Sequence, residues 1–203
     1  MWVLSGYPVP YNSYGNGSAM RVSPVALKAQ SLDEALSLAK ESAKPTHPGA
    51  GVEGSQAIAA AVYLAKEGVA MGKSTEEIKA KIKSTIEERF KYNLGLSIEE
   101  IRERTNRQDT RMSDAATSCP MAIIAALQAN TFEEAVRLAI SMGGDSDTLG
   151  AMAGSIAAQM FGIPEALVKR SLVFLPSEMI EVINKFEGSD FHPTGITPPS
   201  IKR

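Results

Sequence analysis

The sequence predicts an all-α domain, and three observations carry the prediction. A Ser or Thr precedes a Glu by three residues at Ser31/Glu34, Ser74/Glu77, Ser97/Glu100 and Thr131/Glu134, the spacing at which each side chain bonds the other's backbone N–H at a helix start. Apolar residues follow at helical spacing, as in Leu32, Ala35, Leu36 and Ala39, and again in Phe132, Ala135, Val136, Ala139 and Ile140. No run of alternating β-branched residues competes with these. Roughly eight to ten helices fit such a chain on ordinary helix lengths.

Taken in order, Pro8 to Ser18 carries turn-forming residues and resists helix formation, and the first amphipathic helix starts at Ser31. Lys44 to Gly54 is a second stretch of turn or ligand-binding character. Ala57 to Ala65 is apolar on nearly every face, which suits a buried central helix. Helices open at Ser74 and Ser97, with solvated charge patterns at Glu87-Glu88-Arg89 and from Glu99 to Arg104. Met121 to Leu127 is a second buried stretch, opened by Ser118-Cys119-Pro120. After the helix from Thr131, an acidic turn, Gly143 to Thr148, leads into a third, Leu149 to Phe161. Met71, Met112, Met142 and Met152 are read as core. Residues 1–187 are expected to form one domain, and Gly188 to Arg203, with Pro193, Pro198 and Pro199, an irregular tail.

Composition bounds the function. The chain has 203 residues, 44% apolar and 22% charged, enough for one hydrophobic core. Lys plus Arg number 21 against 23 for Asp plus Glu, so no general field draws nucleic acid or an anionic membrane, and an anionic ligand must be held locally. A single cysteine, Cys119, excludes an internal disulfide framework and fits a reducing, cytoplasmic setting; its place favours packing over nucleophilic work. Met1 to Pro10 has neither a basic n-region nor an apolar run long enough for a signal peptide or a membrane span. His192 is expected at the surface.

Two segments carry chemistry. Gly143-Gly144-Asp145-Ser146-Asp147-Thr148 places two carboxylates just before a buried helix. One Asp is an ordinary N-cap, but two near the interior are costly to desolvate unless a cation or several donors compensate. The turn is therefore either a plain cap or an oxygen-donor site for a hard divalent ion. The loop Tyr11-Asn12-Ser13-Tyr14-Gly15-Asn16-Gly17-Ser18 runs into Ala19-Met20-Arg21-Val22. Its glycines permit close backbone approach, and the helix start behind them offers N–H groups to phosphate. It is equally an Asn-Gly turn with Ser18 as N-cap. Neither a Walker loop nor a dinucleotide-binding fingerprint is present.

Together with Thr46-His47-Pro48 and Pro120-Met121-Ala122-Ile123, in this order and with helices between, these segments resemble the ADP-ribosylglycohydrolase family. The resemblance implies an orthogonal multi-helix bundle around a cleft with two divalent ions, Mg2+ or Mn2+. It implies Asp145, Asp147 and Thr148 as metal ligands, with Asp145 and Asp147 catalytic through the ions they hold. It implies Asn16, Gly17, Ser18 and Met20 around the diphosphate and distal ribose of ADP-ribose, with His47 beside the ligand and Gly51 in the loop after it. The reaction would be hydrolysis of the glycosidic bond at the anomeric carbon, releasing ADP-ribose from a modified side chain or small acceptor.

Family members also carry a Thr-Asp-Asp-Thr segment ahead of the glycine loop, and no counterpart occurs here. Arg107-Gln108-Asp109-Thr110 and Ser113-Asp114 are misplaced for it and read as solvated loop. The chain is thus expected to be N-terminally incomplete and impaired: a truncation, a split protein or a short inactive homologue. A homodimer or a complementing N-terminal fragment would cover the exposed apolar faces. A catalytically silent ADP-ribose-binding module, or a crystallin-like structural role, is the competing function.

Overall fold

Side-chain caps fix the start of four helices. In the computed structural model, which describes residues 12–105 and 112–188, all four Ser/Thr–Glu pairs open helices. Ser74 and Glu77 form a reciprocal capping box, and Ser97 and Glu100 exchange the same two bonds at 3.2 and 2.7 Å. At Ser31 and Thr131 the hydroxyl accepts from the backbone of Glu34 and Glu134. There the carboxylates reach one residue further back, to the N–H groups of Gln30 and Asn130, each at 2.7 Å.

Ten α-helices and no strand occur among the described residues: α1 (Ser23–Lys28), α2 (Leu32–Ala43), α3 (Ala50–Ala70), α4 (Thr75–Phe90), α5 (Ile98–Thr105), α6 (Ala115–Gln128), α7 (Phe132–Ser141), α8 (Ser146–Phe161), α9 (Glu165–Leu172) and α10 (Ser177–Glu187). The all-α expectation holds. The three stretches read as apolar on all faces lie in α3, α6 and α8, which pack against one another; α1, α2 and α4 lie against α3, α7 against α6 and α8, and α5 against α6. Alanine and glycine fill much of this core, including Ala57, Ala59, Ala60, Ala61, Ala122 and Ala153, all fully buried. Small residues let helix backbones approach closely, and Ile58, Ile82, Ile123, Met152 and Ile156 fill what remains.

Some expectations are corrected. The stretch Lys44 to Gly54 becomes helical at Ala50, because Gly49, at φ +50°, turns the chain into α3. Pro120 does not open α6 but lies inside it, costing one backbone bond that close packing offsets. Ser18 caps no helix: α1 starts after Val22. Met71 is 66% exposed, whereas Met142 and Met152 are buried as expected. No helix of the described residues is long and apolar enough to cross a membrane.

The chain divides into two compact units at Gly162/Ile163. The first holds α1 to α8. In the second, α9 and α10 bury Leu172 and Ile180. Residues 189–203, which include His192 and nearly all of the expected tail, and 106–111, which include Asp109 and Thr110, lie outside the described residues.

Candidate functional site

The glycine loop, the Thr46-His47 segment and the acidic turn are far apart in sequence and meet in space. At their centre is a single 3-10 turn, Asn16–Ser18. Such a turn leaves the N–H groups of its opening residues, here Gly17 and Ser18, without acceptors inside the turn. The turn is tied down on three sides, each time near the N-terminus of a core helix.

The first tie is to α6. Gly15 and Asp114 form an isolated antiparallel bridge; the Asn16 N–H donates to the Ser113 carbonyl at 2.9 Å and the Ala115 N–H to the Tyr14 carbonyl at 2.9 Å. Ser113 and Asp114, read from sequence as solvated loop, are therefore the wall against which the loop is laid. The second tie is to α3. The Ser18 hydroxyl, 1% exposed, donates to the Gly51 carbonyl at 2.8 Å, and the Ser55 hydroxyl donates to the Ser18 carbonyl at 3.4 Å. The third is to α8: the Asn16 carboxamide donates through Nδ2 to Asp145 Oδ2 at 2.8 Å, across 129 positions of sequence. Thr148 Oγ1 lies 3.9 Å from the Met20 sulfur, so the same two segments touch twice.

His47 stands beside this turn and is 2% exposed. A Cβ built on Gly17 would lie 3.4 Å from His47 Nε2, an ordinary contact, whereas one on Gly51 would lie only 2.7 Å from His47 Cβ; Gly51 leaves the room that the histidine takes. Thr46 Oγ1 is 2.7 Å from His47 Nδ1. Arg21 donates to the Gly17 carbonyl at 2.9 Å and to Thr46 Oγ1 at 2.8 Å. Burial, and secondarily the Arg21 charge, hold the His47 pKa below its ordinary 6.5, so the ring is neutral at pH 7. Sequence reasoning quoted Arg21 and Thr46 within its motifs but gave neither a role; the only signal was their adjacency to Met20 and His47.

In the acidic turn, Gly143 and Gly144 adopt φ of +76° and +73°, a conformation few other residues tolerate, and swing Asp145 to the N-cap of α8. The Asp147 carboxyl is held below the usual carboxylate range, first by its hydrogen bond with Asp145, then by the backbone N–H groups of Thr148 and Asp147 itself. Two carboxyl groups and the Thr148 hydroxyl thus gather within four residues, an oxygen-only donor set that suits a hard divalent ion. Among the described residues no three His, Cys, Asp or Glu side chains are grouped to hold a metal. Met112 packs on Gly144 and also lines a neighbouring cavity of about 380 Å³ with Tyr92, Leu96, Met121 and Ile124; among the described residues its charged lining groups are Lys91 and Arg104.

Of the residues singled out from sequence, Asn16, Gly17, Ser18, Met20, His47, Gly51, Asp145 and Thr148 are joined by the contacts above, with Asp147 attached through Asp145. Cys119 is apart from them, fully buried with its sulfur 3.9 Å from that of Met152.

A model of the ADP-ribosylglycohydrolase family matches residues 2–186. ADP-ribosylhydrolase ARH3 of Mus musculus is 28% identical, with 75% of this chain and 50% of that protein covered; the Homo sapiens ARH3 is 26% identical, with 75% and 52% covered. An uncharacterized protein of Archaeoglobus fulgidus is 29% identical, covering 73% of this chain and 50% of its own length. The chain spans about half the length of the curated relatives it matches. Among solved structures, a chain of an ADP-ribosylglycohydrolase-related protein complex superposes with a TM-score of 0.56 at 23% identity, over 81% of this chain and 58% of that one. A family model that matches nearly the whole described chain, on a fold its solved relative shares, establishes that the chain belongs to the ADP-ribosylglycohydrolase family.

Proposed function

We propose that this chain binds ADP-ribose at the Asn16–Ser18 turn and contributes to hydrolysis of the glycosidic bond that joins ADP-ribose to a side chain or small acceptor. One observation carries the reading: the turn is fastened near the N-termini of α3, α6 and α8 at once, and a carboxylate-bearing turn is hydrogen-bonded to it. Helix N-termini favour an anion such as a diphosphate, while the carboxylates at Asp145 and Asp147 favour a cation beside it.

In this reading the N–H groups of Gly17 and Ser18 receive the diphosphate, and the absence of a side chain at Gly17 brings the backbone within reach. Neutral His47 offers a ring edge rather than a second positive charge next to the glycosidic centre. Asp145, Asp147 and Thr148 would hold Mg2+ or Mn2+, which when bound orients the ribose hydroxyls and acidifies an attacking water. Asn16 keeps Asp145 turned toward the loop. Met20 closes the space between loop and turn.

Isothermal titration of the chain with ADP-ribose, with and without Mn2+, tests the reading, followed by an assay for release of ADP-ribose from ADP-ribosylated arginine and serine peptides. Binding that falls at least tenfold in Asp145→Ala and Gly17→Val is expected; wild-type protein that binds no ADP-ribose at millimolar concentration would refute it. A second reading, binding without turnover, draws on the grouping of side chains: among the described residues no three His, Cys, Asp or Glu side chains are placed together to hold a metal ion. Binding without release of ADP-ribose would select it.

A further inference from the structure

We propose that Arg21 is a positioning residue of this site: one guanidinium spans the Gly17 carbonyl and the Thr46 hydroxyl and so holds the 3-10 turn and the His47 ring in one fixed relation. The role rests on the ADP-ribose reading for its purpose, though not for its geometry.

The contacts run in series from one segment to the other. Arg21 donates through Nη1 to Gly17 O at 2.9 Å and through Nη2 to Thr46 Oγ1 at 2.8 Å. Thr46 Oγ1 pairs with His47 Nδ1 at 2.7 Å, and the far edge of the ring, Nε2, returns to the open side of Gly17. Thr46 is itself anchored, its N–H donating to the Ala43 carbonyl at 3.0 Å at the end of α2. Arg21 and Thr46 thus link the Gly17 carbonyl to the His47 ring in series, and the Ser13 N–H adds a bond to the Thr46 carbonyl at 3.3 Å. The two acceptors are met by different nitrogens of one planar fork, a spacing that the single nitrogen of an ammonium does not reproduce. With both terminal nitrogens engaged, two of the five guanidinium N–H donors hold the site together.

Two variants of the full chain separate positioning from direct ligand contact: Arg21→Lys keeps the charge without the fork, and Arg21→Met keeps only the stem. In the unliganded protein, the Gly17 amide and the His47 ring nitrogens are followed by 1H–15N NMR, with His192→Gln used to assign the two histidines. Both variants are expected to shift these resonances and to weaken ADP-ribose binding by on the order of tenfold, the loss of one or two hydrogen bonds, with Lys giving no rescue. Unchanged Gly17 and His47 resonances overturn the proposal. So does wild-type affinity in Arg21→Lys, which would mark a plain charge contact. Should the wild type bind no ADP-ribose, the functional reading falls, and the unliganded resonances alone judge the positioning role.

Discussion

Gly51→Ala is the sharpest test of how the histidine is seated. Gly51 is buried in the first turn of α3, where alanine is intrinsically favoured over glycine by about 1 kcal/mol. Propensity alone therefore predicts a more stable protein. The new methyl would, however, lie 2.7 Å from His47 Cβ and 3.0 Å from Cδ2, closer than carbon atoms approach. The obstructing atom is not the free end of a side chain: His47 Cβ is fixed by its own backbone, whose N–H donates to the Ala43 carbonyl at 2.9 Å. Overpacking costs ~1–3 kcal/mol, and so rigid an obstacle places this site in the upper half of that range. The net is a destabilisation of about 1–2 kcal/mol, or roughly 2–8 °C in Tm for a domain of this size. Urea unfolding at pH 7.5 and differential scanning calorimetry measure it. ADP-ribose affinity measured on the same variant should fall with the displaced ring. A variant more stable than wild type by the propensity gain would show that His47 is not packed on Gly51, and the site as described would be wrong.

Other expectations follow from the same contacts. His47 has a folded pKa below 6.5, so between that value and 6.5 the unfolded chain binds more protons and stability rises with pH; acidification from pH 7.5 through 6.5 should lower the urea midpoint, by less in His47→Gln, and equal pH slopes for the two would disprove the assignment. Burial pushes the Cys119 thiol up to about 12, so a thiol reagent at pH 8 should label native protein only as fast as it opens, and labelling within seconds without urea would contradict the buried position. Ser74→Ala removes one half of the α4 capping box and should cost about 1 kcal/mol, read as a fall in Tm; no change would mean that the α4 terminus is frayed.

The local chemistry of the chain was legible before its folding. All four Ser/Thr–Glu pairs mark helix starts because a cap is a bond between residues three apart, fully encoded in sequence. The three apolar stretches were legible as buried helices for a similar reason. Tertiary contacts were less so. Ser113 and Asp114 look like any polar loop until Gly15 pairs with them, and Arg21 carries no local mark of its link to Thr46. Gly49-Ala50-Gly51 reads as a turn because glycine disfavours helices, yet Gly51 is helical because the only residue that fits against His47 lacks a side chain. Pro120 reads as a boundary, and dense packing around α6 carries the helix through it. The family motifs were visible as residues, but that Asn16 bonds Asp145 was not, since nothing in either segment points to the other.

That last bond bears on what the site can hold. Helices α3, α6 and α8 are rich in small residues and pack closely, which gathers their N-termini around one turn. Each N-terminus carries roughly half a positive elementary charge, and on its own such a cluster would be a plain anion site. The carboxyl groups of Asp145 and Asp147 at the head of α8 oppose that field, Asp145 taking the Asn16 amide and Asp147 the backbone N–H groups of Thr148 and of Asp147 itself. A diphosphate on the turn alone would face two nearby carboxylates; a divalent cation on the carboxylates alone would face three positive helix ends. Each ligand removes the field that disfavours the other. Anion and cation should therefore bind with positive coupling, so that Mn2+ strengthens ADP-ribose binding and ADP-ribose strengthens Mn2+ binding by the same factor. On the proposed function, the chemistry of the site would belong to the pair of ligands together.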